Sequence, residues 1–243
     1  MTVRIAMWSG PRNISTAMMR AWENRPDTAV IDEPFYAYYL AETGLDHPGR
    51  DDVIAAQPTD WCAVVAGLTG PVPDGRDIYF QKHMAQHLLP GMGRDWLGGV
   101  TNAILLRHPD EVVASYVQRR PGVDVAPEEL GFPQQMEIYE RVAAETGTPP
   151  PVLDARDVLE DPRRMLGLLC DAAGVPFSEA MLSWPPGRRD SDGVWAPHWY
   201  AAVECSTGFA PYRAPAEPLD PAWRPLADAC MPAYRRLHEV RLR

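Results

Sequence analysis

The sequence is poor in cysteine, with four in 243 residues, at positions 62, 170, 205 and 230. No two of them stand in a C-x-x-C spacing, which excludes the common zinc clip and the thioredoxin-like redox pair. So few thiols also exclude a small disulfide-bonded scaffold. We therefore expect free thiols and no structural metal.

Positive charge and long apolar runs are scarce as well. The 23 Lys and Arg residues oppose 33 Asp and Glu residues, which gives a net charge of −10. Such a chain repels nucleic acid, anionic membranes and polyanionic glycans, apart from any local basic pocket. The first apolar run, Ile5 to Trp8, is too short for the core of a signal peptide, and no run approaches a membrane span. These features favour a cytoplasmic protein without nucleic-acid or membrane partners.

Short apolar segments alternate with segments of helical periodicity. Strands are predicted at Val3–Trp8, Thr28–Ile31, Asp77–Phe80, Thr101–Leu106 and Pro151–Leu153. Helices are predicted at Ile14–Glu23, Glu111–Arg119 and Pro162–Ala173. This order predicts an α/β fold with a mostly parallel central sheet flanked by helices. Residues 1–243 fit a single domain, in which the proline- and tryptophan-rich stretch 182–218 is predicted to be an ordered loop or lid.

Most of the predicted strands end in polar clusters, and ligands of parallel sheets bind at that edge. After the first strand, a loop from Ser9 to Asn13 leads into a helix whose first turn carries Ser15 and Thr16. The N–H groups and the dipole of a helix start bind anions, and Arg12 adds a planar fork of donors. The loop is not a Walker A motif, because that lysine position is occupied by Thr16. The alternative is an ordinary capped turn with a solvated arginine.

A second cluster follows the fourth strand, where Arg107-His108-Pro109 leads into a helix that carries Ser115. Arg107 and Ser115 can close on a second phosphate. Taken singly, Arg107 fits a surface salt bridge and Ser115 an ordinary helix serine. Taken with the first loop, they favour one nucleotide that is held by two separate phosphates.

Three motifs resemble those of sulfotransferases that use 3′-phosphoadenosine 5′-phosphosulfate (PAPS). Residues 11–16, Pro-Arg-Asn-Ile-Ser-Thr, resemble the 5′-phosphosulfate loop of that family. Leu106-Arg107-His108-Pro109 with Ser115-Tyr116 resembles its 3′-phosphate motif, and residues 154–162 resemble a later family segment. Residues 187–195 then stand where the family places a loop over the nucleotide.

The resemblance implies a three-layer fold like that of P-loop NTPases, PAPS as co-substrate, adenosine 3′,5′-bisphosphate as product and no metal. The net negative charge and the aromatic content favour a small neutral or cationic alcohol, phenol or amine as the acceptor. The oligomeric state stays open. Carried over by position, the 5′-phosphosulfate would be held by Pro11, Arg12, Asn13, Ile14, Ser15 and Thr16. The 3′-phosphate would be held by Arg107 and Ser115, and the nucleotide would be covered by Arg188, Gly193 and Trp195.

Sulfuryl transfer needs a base that takes the acceptor's proton, and two strand ends offer one. Glu33 follows the second strand, in a Glu-Pro context where related enzymes use a glutamate. His83 follows the third strand and Lys82, near the place where cytosolic members use a histidine. Glu33 is the preferred base and His83 the alternative, while Lys82 and Arg12 would stabilise charge in the transition state.

An aromatic run follows Glu33. Its members either line a pocket for the acceptor or pack in the core, and they are Phe35, Tyr36, Tyr38 and Tyr39.

Two other functions stay open. A small-molecule kinase would keep the fold, and Asp32 could hold its magnesium, but the Walker A lysine is missing. A non-catalytic nucleotide-binding module would keep both anion sites without turnover.

Overall fold

The computed structural model describes residues 2–119 and 124–243. Its sheet has five strands in the spatial order β2-β3-β1-β4-β5, and every recorded pairing is parallel. The strands are β1 (Val3–Ser9), β2 (Thr28–Asp32), β3 (Ile78–Met84), β4 (Thr101–Leu106) and β5 (Val152–Asp154). Because all five point the same way, their carboxyl ends meet at one edge of the sheet.

The described residues also form helices between and after the strands. These are α1 (Ser15–Glu23), α2 (Tyr36–Thr43), α3 (Arg50–Ala56), α4 (Trp61–Thr69), α5 (Pro109–Arg119), α6 (Phe132–Thr146), α7 (Ala155–Glu160), α8 (Pro162–Ala173), α9 (Ala196–Trp199), α10 (Ala201–Glu204) and α11 (Arg224–Glu239). Short 3₁₀ helices lie at Pro73–Gly75, Ala85–His87, Asp95–Gly99, Pro127–Leu130, Glu179–Leu182 and Pro221–Trp223.

Alternation along the strands divides the core between the two faces of the sheet. In β1, Ile5 and Met7 pack with residues of α1 and α8, whereas Ala6 and Trp8 pack with residues of α4 and α6. A third cluster joins the outer side of β4 to α5 and α11. Helices therefore cover both faces of a parallel sheet, and the predicted α/β architecture is confirmed.

The third strand was predicted wrongly, because it does not end before the polar triplet at 81–83 but continues through it to Met84. All seven residues of this strand are buried. Each polar side chain has a partner: Gln81 donates to the Leu68 carbonyl, Lys82 binds two carboxylates and His83 stacks on an indole. Buried polar groups with partners are compatible with a central strand, so polarity alone does not mark where this strand ends.

The stretch 182–218 contains the two short helices α9 and α10 and is otherwise irregular. An isolated antiparallel bridge joins Ser183, near its start, to Gly208. Trp184, Trp195 and Tyr200 are all buried. The stretch thus packs on the sheet edge through these aromatic side chains.

Candidate active site

The loop between β1 and α1 is fixed by its backbone. A Cβ added to Gly10 would lie 2.5 Å from the Leu130 carbonyl oxygen, so only glycine fits there without a shift. Arg12 adopts a left-handed conformation with φ of 57°. The Asn13 amide donates to the Leu105 carbonyl at 3.0 Å and accepts from the Ile14 N–H at 2.8 Å. These contacts hold the loop against the end of β4.

Helix α1 begins behind this loop without a side-chain cap. Its first N–H groups and its dipole therefore point toward whatever lies in front of the loop. Ser15 and Thr16 line the cavity there, as do Pro11, Arg12 and Asn13. Ile14 instead packs against the hydrophobic core, so five of the six predicted loop residues face the cavity.

The two predicted phosphate clusters are in direct contact. Arg12 donates through Nε to the Ser115 hydroxyl at 3.0 Å, and Arg107 donates to the Arg12 carbonyl at 2.6 Å. A second Arg107 donor binds Glu111 at 2.9 Å. The two clusters therefore adjoin, but neither Arg107 nor Ser115 is among the residues that line the cavity.

Positive charge is concentrated here in a protein that is acidic overall. Burial lowers the pKa of Arg12, and the neighbouring Arg119 and Arg107 lower it further. Three guanidinium groups that repel one another favour an anion between or beside them. Arg119 lines the cavity, and sequence reasoning missed it. The available signal was its position four residues after Ser115, on the same face of α5.

The cavity opens at the carboxyl ends of β1, β2 and β3, where parallel sheets bind ligands. One side carries the phosphate loop with Arg119, and another carries aromatic and histidine side chains. Between them lie Glu33 and Lys82 at the strand ends. Its remaining described lining residues are Tyr36, Tyr39, His47, Met84, Gln86, His87, Tyr116, Glu129, Trp199 and Tyr200.

Lys82 is the only lysine of the sequence, since the other 22 of the 23 basic residues are arginines. Its side chain is buried and donates to Asp32 at 2.7 Å, Glu33 at 2.6 Å and the Tyr200 hydroxyl at 2.7 Å. Burial opposes its charge, but Asp32 and Glu33 outweigh burial and raise the pKa of Lys82 well above its ordinary value. All three donors of the ammonium group are thus engaged. To contact a sulfuryl oxygen, as predicted, Lys82 would have to break one of these three hydrogen bonds.

Glu33 stands at the end of β2 in a left-handed conformation with φ of 41°. Its N–H donates to the Lys82 carbonyl at 2.9 Å, which fixes this unusual geometry. Burial raises the pKa of Glu33, and Asp32 adds to the rise while Lys82 opposes it. A carboxylate with a raised pKa on a cavity wall is suited to accept a proton.

His83 points to the opposite face of the sheet from Lys82. Its ring stacks on Trp8 at a centroid distance of 4.2 Å and lies near Phe35. Burial and the charge of Lys82 lower the pKa of His83 to about 3. It is not among the residues that line the cavity. This placement favours Glu33 over His83 as the base.

The three residues carried over from the C-terminal loop lie away from the cavity lining. Arg188 is largely exposed and lies 3.9 Å from Glu204. The Gly193 N–H points at Asp32 at 3.3 Å, and Trp195 is buried with its indole N–H on the Tyr200 hydroxyl at 3.1 Å. The residues that this segment contributes to the cavity lining are Trp199 and Tyr200, which belong to the run 195–200 that the sequence offers either as a lid over the substrate or as a packed loop.

The aromatic run after Glu33 divides between the two roles considered for it. Phe35 and Tyr38 pack in the core with Trp8. Tyr36 and Tyr39 line the cavity. One turn of helix separates the members of each pair, because α2 presents one face to the core and the other to the cavity.

The described residues contain no group of three or more His, Cys, Asp or Glu side chains arranged to hold a metal ion. Across residues 2–119 and 124–243, no helix has the length and apolar character needed to cross a membrane.

Comparison with known proteins bears on this geometry. The profile of a family described as a sulfotransferase domain matches residues 3–240. The chain belongs to this sulfotransferase family.

Its solved structural neighbours are low in identity and show the fold alone. The sulfotransferase domain of the curacin biosynthetic pathway has a TM-score of 0.52 at 15% identity and covers 95% of this chain and 98% of the neighbour. A sulfotransferase from Alicyclobacillus acidocaldarius has a TM-score of 0.56 at 12% identity, with 98% and 95% covered. The P-loop-like three-layer fold is thereby confirmed.

Two curated relatives from Arabidopsis thaliana have names of another kind. Branched-chain-amino-acid aminotransferase-like protein 2 is 34% identical over 235 residues, which cover 96% of this sulfotransferase chain and 41% of the relative. Branched-chain-amino-acid aminotransferase-like protein 1 is 37% identical over 207 residues, with 85% and 36% covered. The chain spans about two fifths of the length of these relatives, so their names describe much larger proteins.

Proposed function

We propose that this sulfotransferase takes its sulfuryl group from PAPS and transfers it to a hydroxyl or amine of a small acceptor. The observation that carries the proposal is the contact between the two phosphate clusters, Arg12 with Ser115 and Arg107 with the Arg12 carbonyl. An adenosine 3′,5′-bisphosphate has two phosphates on one ribose and can place one at each cluster, whereas the Walker A lysine of a nucleoside triphosphate site is replaced here by Thr16.

In the proposed reaction the acceptor oxygen attacks sulfur in line with the bond from sulfur to the 5′-phosphate oxygen. The new oxygen–sulfur bond forms as the old one breaks, and the electron pair stays on the 5′-phosphate. Arg12, the loop N–H groups and the start of α1 stabilise that growing charge. The acceptor proton passes to Glu33, whose raised pKa suits it to receive one.

Lys82 holds Glu33 in place during this step, and Tyr200 in turn accepts from Lys82 and donates to Asp32. With Glu33 ionised, Asp32, Glu33 and Lys82 carry one net negative charge in a buried cluster. Protonation of Glu33 by the acceptor removes that excess charge. The cluster therefore supplies part of the driving force for proton transfer.

The kinase alternative is weakened by the position of Asp32. One of its oxygens accepts from Lys82 and the other from Tyr200 at 2.6 Å, so a magnesium ion would have to displace these partners. The non-catalytic module remains an outcome of the test. A domain of this sulfotransferase family without turnover would bind the bisphosphate and form no product.

The test combines binding and turnover on the purified chain. Thermal unfolding is followed with adenosine 3′,5′-bisphosphate and with ATP plus magnesium, and product formation from PAPS with a broad set of alcohols, phenols and amines is read by mass spectrometry. Selective stabilisation by the bisphosphate together with a sulfated product supports the proposal. Selective stabilisation by ATP with magnesium, or binding without any product, contradicts it.

A further inference from the structure

An aromatic wall faces the cavity beside the proposed base. We define this wall as Tyr36, Tyr39 and His87. The His87 ring lies between the two phenols, with centroid distances of 4.8 Å to Tyr36 and 4.6 Å to Tyr39. The Tyr36 N–H donates to the Glu33 carbonyl at 3.0 Å, so the wall begins directly next to Glu33.

Most charged side chains of the cavity lie on its other sides, and the carboxylate of Glu33 stands at the Tyr36 end of the wall. Arg12 and Arg119 are on the phosphate side, and Glu129 precedes Leu130, whose carbonyl packs against the phosphate loop. Glu33 and Asp32 both pair with Lys82 at the strand ends, and with Glu33 ionised this cluster keeps one net negative charge. On the side of the aromatic wall, the described lining residues include no carboxylate, lysine or arginine, and they are Tyr36, Tyr39, His47, His87 and Trp199.

This distribution selects against charged ligands on the wall side. A charged group that enters a buried site loses its hydration, and without a partner of opposite charge that loss is not offset. Burial raises the pKa of Tyr36, so its phenol stays uncharged. Burial, together with His47 and Lys82, lowers the pKa of His87 well below its ordinary value, so this imidazole is neutral at physiological pH.

His87 also offers an unmatched polar atom. Its side chain is 2% exposed, and its Nδ1 has no hydrogen-bond partner among the described residues. A buried polar atom of this kind costs free energy until a partner reaches it. A neutral imidazole has one donor and one acceptor, so a hydroxyl group satisfies it in either tautomer.

We propose that the aromatic wall is the acceptor subsite and that it takes an uncharged alcohol or phenol with a flat or apolar body and a second hydrogen-bonding group directed at His87. This proposal rests on the proposed function, and it narrows the acceptor by charge. In this arrangement the reacting hydroxyl of the acceptor faces Glu33, and its apolar body packs on Tyr36 and Tyr39. Its second polar group forms a hydrogen bond with the His87 imidazole.

The first test uses the unmodified chain with PAPS and four phenols that differ only in the tail. These are 4-(2-hydroxyethyl)phenol, its cationic isostere 4-(2-aminoethyl)phenol, the anionic 4-hydroxyphenylacetate and the tail-free 4-ethylphenol. We expect the neutral hydroxyethyl compound to have the highest kcat/KM, with both charged compounds at least about tenfold lower because they lose hydration without gaining a partner.

A higher kcat/KM for either charged compound overturns the inference while leaving sulfuryl transfer intact. Failure to sulfate any of the four, in a protein that adenosine 3′,5′-bisphosphate stabilises, also overturns it and leaves donor binding standing. Failure of the bisphosphate to stabilise the chain instead contradicts the proposed function itself, so the two failures are distinguishable.

The second test replaces the imidazole by a ring of similar size. His87→Phe keeps the stack on the tyrosines but removes the polar atoms. We expect about a tenfold loss of kcat/KM for the hydroxyethyl compound, no loss for 4-ethylphenol, and a KM for PAPS within about twofold. The matched control is His238→Phe, because His238 also stacks on a tyrosine, Tyr234, but lies on α11 outside the cavity. Equal losses for both phenols would overturn the role of His87.

Discussion

The carboxylate of Glu33 experiences opposing influences on its pKa. Burial and Asp32 raise it, and Lys82 at 2.6 Å lowers it, with the balance toward a raised value. An ordinary surface glutamate is a weak base at neutral pH, whereas a carboxylate with a raised pKa holds the transferred proton more firmly. The chemistry assigned to this residue follows from its surroundings.

Glu33→Gln keeps the size of the side chain but removes its ability to accept a proton. We expect kcat to fall at least about 10²-fold, because a positioned general base contributes at least that much. Affinity for adenosine 3′,5′-bisphosphate, measured by calorimetry, should stay within about twofold. The control is Glu137→Gln, because Glu137 pairs with Arg94 outside the cavity. Turnover close to that of the unmodified protein would remove Glu33 from the role of base.

Some site residues follow from the sequence and others do not. Arg12, Ser15 and Thr16 were predictable because a strand, a glycine turn and a helix start form an anion site through local geometry. Tyr200 was not, since it reaches Lys82 across 118 positions of the chain. A contact of that range depends on how the C-terminal segment folds back, and no local pattern encodes it.

At the scale of the element, the β1–α1 loop depends on the close approach of Leu130. Gly10→Ala would place a Cβ 2.5 Å from that carbonyl oxygen and push the loop out of position. We expect about a tenfold or greater loss of affinity for adenosine 3′,5′-bisphosphate by calorimetry, because displaced N–H groups no longer converge on the phosphate.

The control for this change is Gly167→Ala, where an added Cβ meets nothing within 4 Å. That substitution lies within α8 and should preserve affinity, since alanine favours helix over glycine. Unchanged affinity in Gly10→Ala would show that the loop tolerates the shift and is not the phosphate cradle.

Segment 182–218 is attached to the sheet edge by polar contacts as well as by its aromatic residues. Asp192 forms a buried ion pair with Arg20 at 2.6 Å, and the Tyr200 hydroxyl donates to Asp32 at 2.6 Å. Lys82 lies beneath this attachment and is buried. A looser segment would therefore uncover Lys82.

Because Lys82 is the only lysine, an amine-specific reagent has one side-chain target in the chain. We expect Asp192→Asn to speed modification of Lys82, measured by peptide mass spectrometry, because breaking a buried ion pair frees the segment. Glu179→Gln removes an exposed ion pair with Arg163 and should leave the rate unchanged. Equal rates in both variants would show that Asp192 does not hold the segment closed.

Most of the helices and strands that the sequence predicts are present in the structure. The fourth strand and α8 coincide with their predicted bounds, because apolar runs and helical periodicity both act over short range. The predicted end of the third strand was wrong, because the polar residues Gln81, Lys82 and His83 are typical of a strand end. Their partners, such as the Leu68 carbonyl and Asp32, come from distant parts of the chain. Polarity predicts an end only where partners are absent.

On the scale of the whole molecule, buried histidines couple stability to pH. In the unfolded chain His83 gains a proton as the pH falls through 6.5, whereas in the folded protein its pKa is lowered to about 3. The unfolded state therefore binds more protons between these values. The contribution of His83 to the free energy of unfolding is therefore complete above pH 6.5 and is lost as the pH falls through this window. His87 acts in the same direction.

The raised pKa of Glu33 acts the opposite way at acidic pH, so the test compares two proteins rather than one curve. His83→Phe keeps a ring on Trp8 but removes the titrating group. Between pH 6 and 4, we expect the free energy of unfolding in urea to fall more steeply in the unmodified protein, by about 1.4 kcal/mol per pH unit. Parallel curves would mean that His83 is protonated in the folded state. The control is the exposed His198→Phe.

The most direct measurement of the central claim is the calorimetric affinity of the chain and of Arg107→Ala for adenosine 3′,5′-bisphosphate and for adenosine 5′-monophosphate. If one cavity binds both phosphates of one nucleotide, the variant loses about tenfold or more in affinity for the bisphosphate and little for the monophosphate. An equal loss for both ligands would contradict the account, because Arg107 would then support the Arg12 loop without binding a second phosphate.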